Sequence, residues 1–105
     1  MRAALLLLVL VAAGLAGCAA PGSPPATTVV IENATYHPGE ITVKNGTVLR
    51  FENRDDVTHA PQTAAWTVQT PPGTTSQVKV DRVGDFEVPC AYHGIVSPLK
   101  LHVVA

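Results

Sequence analysis

Gly84-Asp85-Phe86-Glu87-Val88-Pro89-Cys90-Ala91-Tyr92-His93 is the stretch on which the fold turns. In an extended strand successive side chains point to opposite faces, so Phe86, Val88 and Cys90 share one face. Phe86 and Val88 make that face the interior. Cys90 therefore stands at the end of a strand with its thiol directed into the fold, and His93 follows in the loop that leaves it.

Working outward, other segments carry the same period. Leu99, Leu101 and Val103 point inward and alternate with Lys100, His102 and Val104, which face outward. Val78 and Val80 point inward within Ser76–Asp81, ahead of a turn at Gly84. Leu49 and Phe51 oppose Arg50 and Glu52 within Val48–Asn53. Ile41-Thr42-Val43-Lys44 alternates and runs into Asn45-Gly46, a turn signal. Val29-Val30-Ile31 opens the domain. Trp66-Thr67-Val68 is a short apolar–polar–apolar unit before Pro71-Pro72-Gly73, with Trp66 in the core or covering one end of it. No segment keeps a helical period long enough to form a helix. Strand signals recurring at roughly 8–12-residue spacing predict an all-β sandwich or barrel in a single domain.

The N-terminus reads as an address. Met1-Arg2 is positive, and Ala3 to Ala16 is apolar or small throughout, shorter than the roughly 20 residues that span a bilayer. Leu15-Ala16-Gly17-Cys18 resembles the bacterial lipoprotein lipobox. That resemblance implies cleavage before Cys18 and a lipid on its sulfur, hence an exported protein held on the periplasmic or extracellular face of a membrane. Residues 1–17 are then signal peptide, 18–28 a Pro/Ala-rich tether, and 29–105 the folded domain. With Cys18 acylated, Cys90 has no disulfide partner in the chain, because the 105 residues contain two cysteines. A free thiol in an oxidising compartment is a liability unless something uses it.

The chemistry lies in Cys90-Ala91-Tyr92-His93 together with His59. A thiolate and two imidazoles form a set that suits copper: thiolate favours Cu(I), and imidazole binds either oxidation state. Formal net charge is −1 and the Lys and Arg residues are scattered, which excludes a basic nucleic-acid surface. No nucleophile–base pair or paired-carboxylate set appears, which argues against an enzyme.

From Tyr36 onward the chain resembles the cupredoxins, the single-domain blue copper proteins. Tyr36-His37-Pro38-Gly39-Glu40 leading into Ile41–Lys44 is similar to the family's aromatic-x-Pro lead into a strand. Phe51 to His59 is similar to its strand, acidic turn and first copper histidine. Gly84 to His93 is similar to its ligand strand and loop. The resemblance implies a Greek-key β-sandwich and one copper ion cycling between Cu(I) and Cu(II). It implies Cys90, His59 and His93 as metal ligands, with His59 buried and His93 near the surface. It also implies a monomer that exchanges electrons with redox protein partners docking near Gly94, Ile95 and Pro98.

The chain departs from the family at three places. The family usually has methionine after the second histidine. Here the axial position falls on Val96, by one spacing, or on Pro98, by another, and neither side chain donates. A three-coordinate site with Val96 packed at the axial position, or with a distant carbonyl such as that of Thr58, is the expectation. Ala60 stands where the family often has an asparagine that clamps the ligand loops, and Gly94 where it often has proline. His37 and His102 read as solvated histidines, and Asp55-Asp56 as a turn. A copper-holding or copper-delivery protein with the same ligands, and a metal-free interaction module, are the alternatives to an electron carrier.

Overall fold

The computed structural model describes residues 24–92 and 94–105. The lipobox and the proposed signal lie outside the described residues, as does His93. Seven strands follow one another: β1 (Ala26–Glu32), β2 (Thr35–His37), β3 (Glu40–Lys44), β4 (Val48–Asn53), β5 (Thr75–Lys79), β6 (Gly84–Val88) and β7 (Leu99–Val104). One sheet has the order β2-β1-β4-β5 and the other β3-β7-β6. Pairing is parallel for β1 with β4 and for β3 with β7, and antiparallel elsewhere. No helix among the described residues is long and apolar enough to cross a membrane.

The alternation read from the sequence is the alternation that packs. Val29, Ile31, Leu49 and Phe51 face inward from the first sheet, and Val43, Val88, Leu99, Leu101 and Val103 from the second. Phe51 is the hub, with its ring centroid 6.2 Å from that of Tyr36 and 6.1 Å from that of Trp66, both tilted. Tilted rings avoid the face-to-face repulsion of their quadrupoles.

Two local readings are corrected and a third holds. β1 begins at Ala26, inside the stretch read as tether, because Ala26–Thr28 find ladder partners in Val48–Arg50. Trp66-Thr67-Val68 forms no strand; its order comes from a single bridge, Gln62 to Thr67. Asn45-Gly46 turns the chain tightly, with Thr47 N–H donating to Lys44 C=O at 3.0 Å and Gly46 at φ +94°. A third position with positive φ is what such a turn asks of glycine. The turn makes no hairpin, however: it carries the chain from one sheet to the other.

The second sheet has a polar clasp on its outer face. His102, on the central strand β7, lies 2.7 Å from Asp85 on β6 through Nδ1 and 2.7 Å from Glu40 on β3 through Nε2. The Asp85 and Glu40 carboxylates both raise the His102 pKa above its ordinary 6.5. Because the folded value is the raised one, the stabilisation is fully present below about pH 6.5 and is lost as pH rises through the folded value. The difference in thermal midpoint between the wild type and His102→Gln should therefore be largest below pH 6.5 and shrink on the alkaline side. A difference that does not vary with pH would contradict the clasp.

Candidate metal centre

Both loops that matter leave the same pole of the sandwich. The segment between β4 and β5 carries His59, and the segment between β6 and β7 carries Cys90. They are tied by backbone. Ala91 N–H donates to Ala60 C=O at 2.9 Å and Gln62 N–H to Pro89 C=O at 3.0 Å, around a bridge between Pro61 and Cys90. A second bridge pairs His59 with Thr70 in both directions, at 3.1 and 2.8 Å.

Asn53, the last residue of β4, explains how His59 is presented. Its side chain is 1% exposed. The amide donates to Val57 C=O at 2.8 Å and to Thr70 C=O at 2.9 Å, and its oxygen accepts from Asp55 N–H at 2.9 Å. One buried amide thus ties together three backbone groups of the chain around His59, at Asp55, Val57 and Thr70.

His59 is 1% exposed. Its Nε2 lies 2.8 Å from Asp55 Oδ2, so Nε2–H donates to the carboxylate. A proton on Nε2 leaves the lone pair on Nδ1. That Nδ1 faces Cys90 Sγ at 4.0 Å. Cys90 is a free, buried cysteine, and its sulfur accepts the N–H of Ala60 at 3.3 Å and of Tyr92 at 3.4 Å.

Hydrogen bonds at the pole ease ionisation of the Cys90 thiol. Burial alone would push the Cys90 thiol up. The N–H groups of Ala60 and Tyr92, the His59 ring and the Gly94 N–H outweigh burial and hold it below its ordinary range. Burial likewise works against protonated His59, but the Cys90 sulfur and the Asp55 carboxylate raise it above the usual histidine value. Burial would raise Asp55, yet the N–H of Ala34, the His59 ring and the N–H of Asn33 hold it below the usual carboxylate range.

Gly94 closes over the histidine. A Cβ at this position would sit 3.2 Å from His59 Cε1 and 3.2 Å from Nδ1, so glycine is what lets this backbone pass so close to the ring. Val96, expected to pack at the axial position, is 76% exposed. The reason is local: Ile95 turns inward against the core, and Val96 N–H is committed to Ala34 C=O at 2.8 Å, which leaves the Val96 side chain outward. Tyr92 is half exposed, and its hydroxyl oxygen accepts from the Gln69 side-chain amide. His37 is exposed, with Nε2 on Glu32 C=O at 3.2 Å.

Two of the three residues expected to hold a metal, His59 and Cys90, thus stand together, and the third, His93, lies outside the described residues. Among the described residues no group of three or more His, Cys, Asp or Glu is arranged to hold an ion. Sequence reasoning missed Asp55, which it read as a turn residue. The four-residue spacing to His59 was the available signal.

A scan against protein-family models finds no match, and a search of the curated proteins finds none either. Solved structures do match. An oxidised methionine-to-leucine variant of amicyanin superposes with a TM-score of 0.64 at 19% identity, covering 72% of this chain and 79% of that one. A reduced tryptophan-to-tyrosine variant of amicyanin gives 0.66 at 19% identity, covering 77% of this chain and 84% of that one. A proline-to-glycine variant in its reduced Cu(I) form at pH 4 gives 0.65 at 19% identity over the same shares, 77% and 84%. The fold is that of the cupredoxins. At this identity the likeness speaks for the cupredoxin architecture alone, and the chemistry rests on the residues at the pole.

Asn53→Ala should destabilise this domain by about 2 kcal/mol or more, because the three hydrogen bonds of one buried amide are lost at once. Chemical denaturation followed by tryptophan fluorescence measures it. A loss within about 0.5 kcal/mol, the range of an ordinary surface change, would contradict the keystone role of this amide.

Proposed function

We propose that the protein is an exported electron carrier, tethered by a lipid on Cys18, which holds one copper ion through His59, Cys90 and His93. The observation that carries this reading is the apposition of His59 Nδ1 and Cys90 Sγ at 4.0 Å in a buried site. That gap is too long for a good hydrogen bond. It is shorter than the sum of two metal bonds of about 2.0 and 2.3 Å, the lengths found for imidazole and thiolate at zinc, so both atoms could hold one ion. The donor set, soft thiolate with imidazole, is the one that suits copper.

Each residue then has a task. Copper, when bound, supplies the Cu(I)/Cu(II) couple. Cys90 enters as a thiolate, kept in that form by the surrounding N–H groups, and His59 enters through Nδ1, with its proton held at Nε2 by Asp55. The buried walls exclude water from sulfur and ring. Little of this framework needs to move when an electron arrives, because the loops are fixed to each other by backbone hydrogen bonds. His93 supplies the third donor and the route out.

The surface at this pole fits a protein partner. Val57, Tyr92 and Val96 are exposed at 54%, 51% and 76%, and Gly94, Ile95 and Pro98 lie in the same loop as Tyr92 and Val96. Small and apolar residues around an electron port allow close, short-lived docking. The carrier works as a monomer between redox proteins and catalyses no reaction of its own.

A second reading, a copper-holding or delivery protein, is favoured by one observation: the outward Val96 leaves the position where the family has a methionine without a donor side chain. A copper titration of the purified chain separates the two. The carrier gives intense blue absorption from thiolate-to-copper charge transfer and returns to full colour through repeated reduction and oxidation. The delivery protein binds without that colour, and a metal-free module does not bind. In the carrier, Cys90→Ser abolishes the colour. Copper at a hundredfold excess over its Kd should add about 2.7 kcal/mol to the stability of the wild type; an unmoved thermal midpoint would overturn the copper reading altogether.

A further inference from the structure

The turn between β1 and β2 has no task in the copper chemistry, yet it carries two unusual residues. Asn33 and Ala34 both sit in the left-handed region, at φ +56° and +54°. Asparagine tolerates that conformation; alanine pays for its Cβ there. Two successive left-handed residues persist only where their surroundings hold them.

What holds them is Asp55. Its Oδ1 accepts Asn33 N–H at 2.7 Å and its Oδ2 accepts Ala34 N–H at 2.8 Å, while Oδ2 also receives His59 Nε2–H at 2.8 Å. The same turn reaches the other loop, since Ala34 C=O accepts Val96 N–H at 2.8 Å. The carboxylate is mostly covered, with its side chain 15% exposed, so these charge-assisted bonds compete little with water. A continuous path therefore runs from the His59 ring through Asp55 and the Asn33–Ala34 turn to the loop that follows Cys90.

We infer that the Asp55 carboxylate and the left-handed Asn33–Ala34 turn form a bracket that positions the metal site, holding the His59 ring at one end and the Gly94–Pro98 segment, through Val96, at the other. Ala60 has no side chain able to clamp the two ligand loops. Its backbone ties His59's neighbour to Cys90 and Ala91, and the bracket ties the parts that this backbone does not reach. Asp55 and Ala34 are positioning residues: neither is a ligand, and both act through His59 and through Val96. The inference rests on the copper reading for its effect on metal, but the bracket itself is a property of the metal-free chain.

Two variants in the full-length chain test it. Asp55→Asn keeps the shape but loses the charge and one acceptor, because an amide nitrogen cannot receive an N–H. Ala34→Val leaves the Asp55 and His59 side chains unchanged, but a β-branched residue resists the left-handed conformation that aims the residue 34 N–H at Asp55. Amide hydrogen exchange is read by NMR in the metal-free protein. In both variants the Val96 amide should lose protection by about tenfold or more, together with Asn33 and Ala34 in Asp55→Asn, while the Leu49 and Leu101 amides in the strands keep theirs. Copper affinity should fall by about 10–100-fold in Asp55→Asn, as for other partners that orient a metal ligand, and the reduction potential should rise as the anion behind His59 is lost. Wild-type protection at Val96 in both variants overturns the bracket. Loss of protection with unaltered copper affinity and potential overturns its role at the site. A wild type that binds no copper defeats the copper reading, and the exchange data then still decide whether the bracket exists.

Discussion

A buried imidazole nitrogen facing a buried sulfur is the contact on which the rest of this molecule depends. His59 and Cys90 are both buried, and a polar group without a partner is expensive in an apolar interior. The pole is organised around that problem. Backbone N–H groups point at the sulfur, a carboxylate takes the far side of the ring, and the lone pair left over on Nδ1 faces the thiol across 4.0 Å. In the reading proposed above, one copper ion shared by the two would complete the arrangement.

The sandwich makes that arrangement possible through strand direction. β4 and β6 both run out at this pole, so the segments that follow them meet there, and the bridge from Pro61 to Cys90 seals the meeting. Below, the layer that includes Phe51, Val88 and Leu99 is fully buried and gives the loops a floor. A domain of this size buries only about 60% of its unfolded surface and has little stability to spare. A metal that binds only the folded chain would stabilise it by mass action, which couples the chemistry of the site to the persistence of the fold.

Much of this was legible in the amino-acid sequence because it is periodic. The inward faces of β4 and β7 follow directly from alternation, and so does the inward thiol of Cys90, which lies just past the end of β6. Burial of His59 came from family resemblance rather than from its own neighbourhood, which has no period. What alternation could not reach lies in short or irregular pieces. β2 is three residues long and leaves no pattern. β1 starts early because its partner strand offers a parallel ladder to Ala26–Thr28, a tertiary effect that composition does not record. Counting from Cys90 placed Val96 at the axial position, but in a loop the count says nothing about direction; Val96 is exposed, and its neighbour Ile95 packs, partly buried, against the core. Asp55 looked like a turn residue because turns and hydrogen-bonded brackets use the same residue types.

X-ray absorption at the copper edge of the metal-loaded protein tests the central claim most directly. One sulfur and two imidazole nitrogens in the first coordination sphere, with the sulfur lost in Cys90→Ser, is the predicted result. A sphere of nitrogen and oxygen without sulfur, or one that the substitution leaves unchanged, would contradict it.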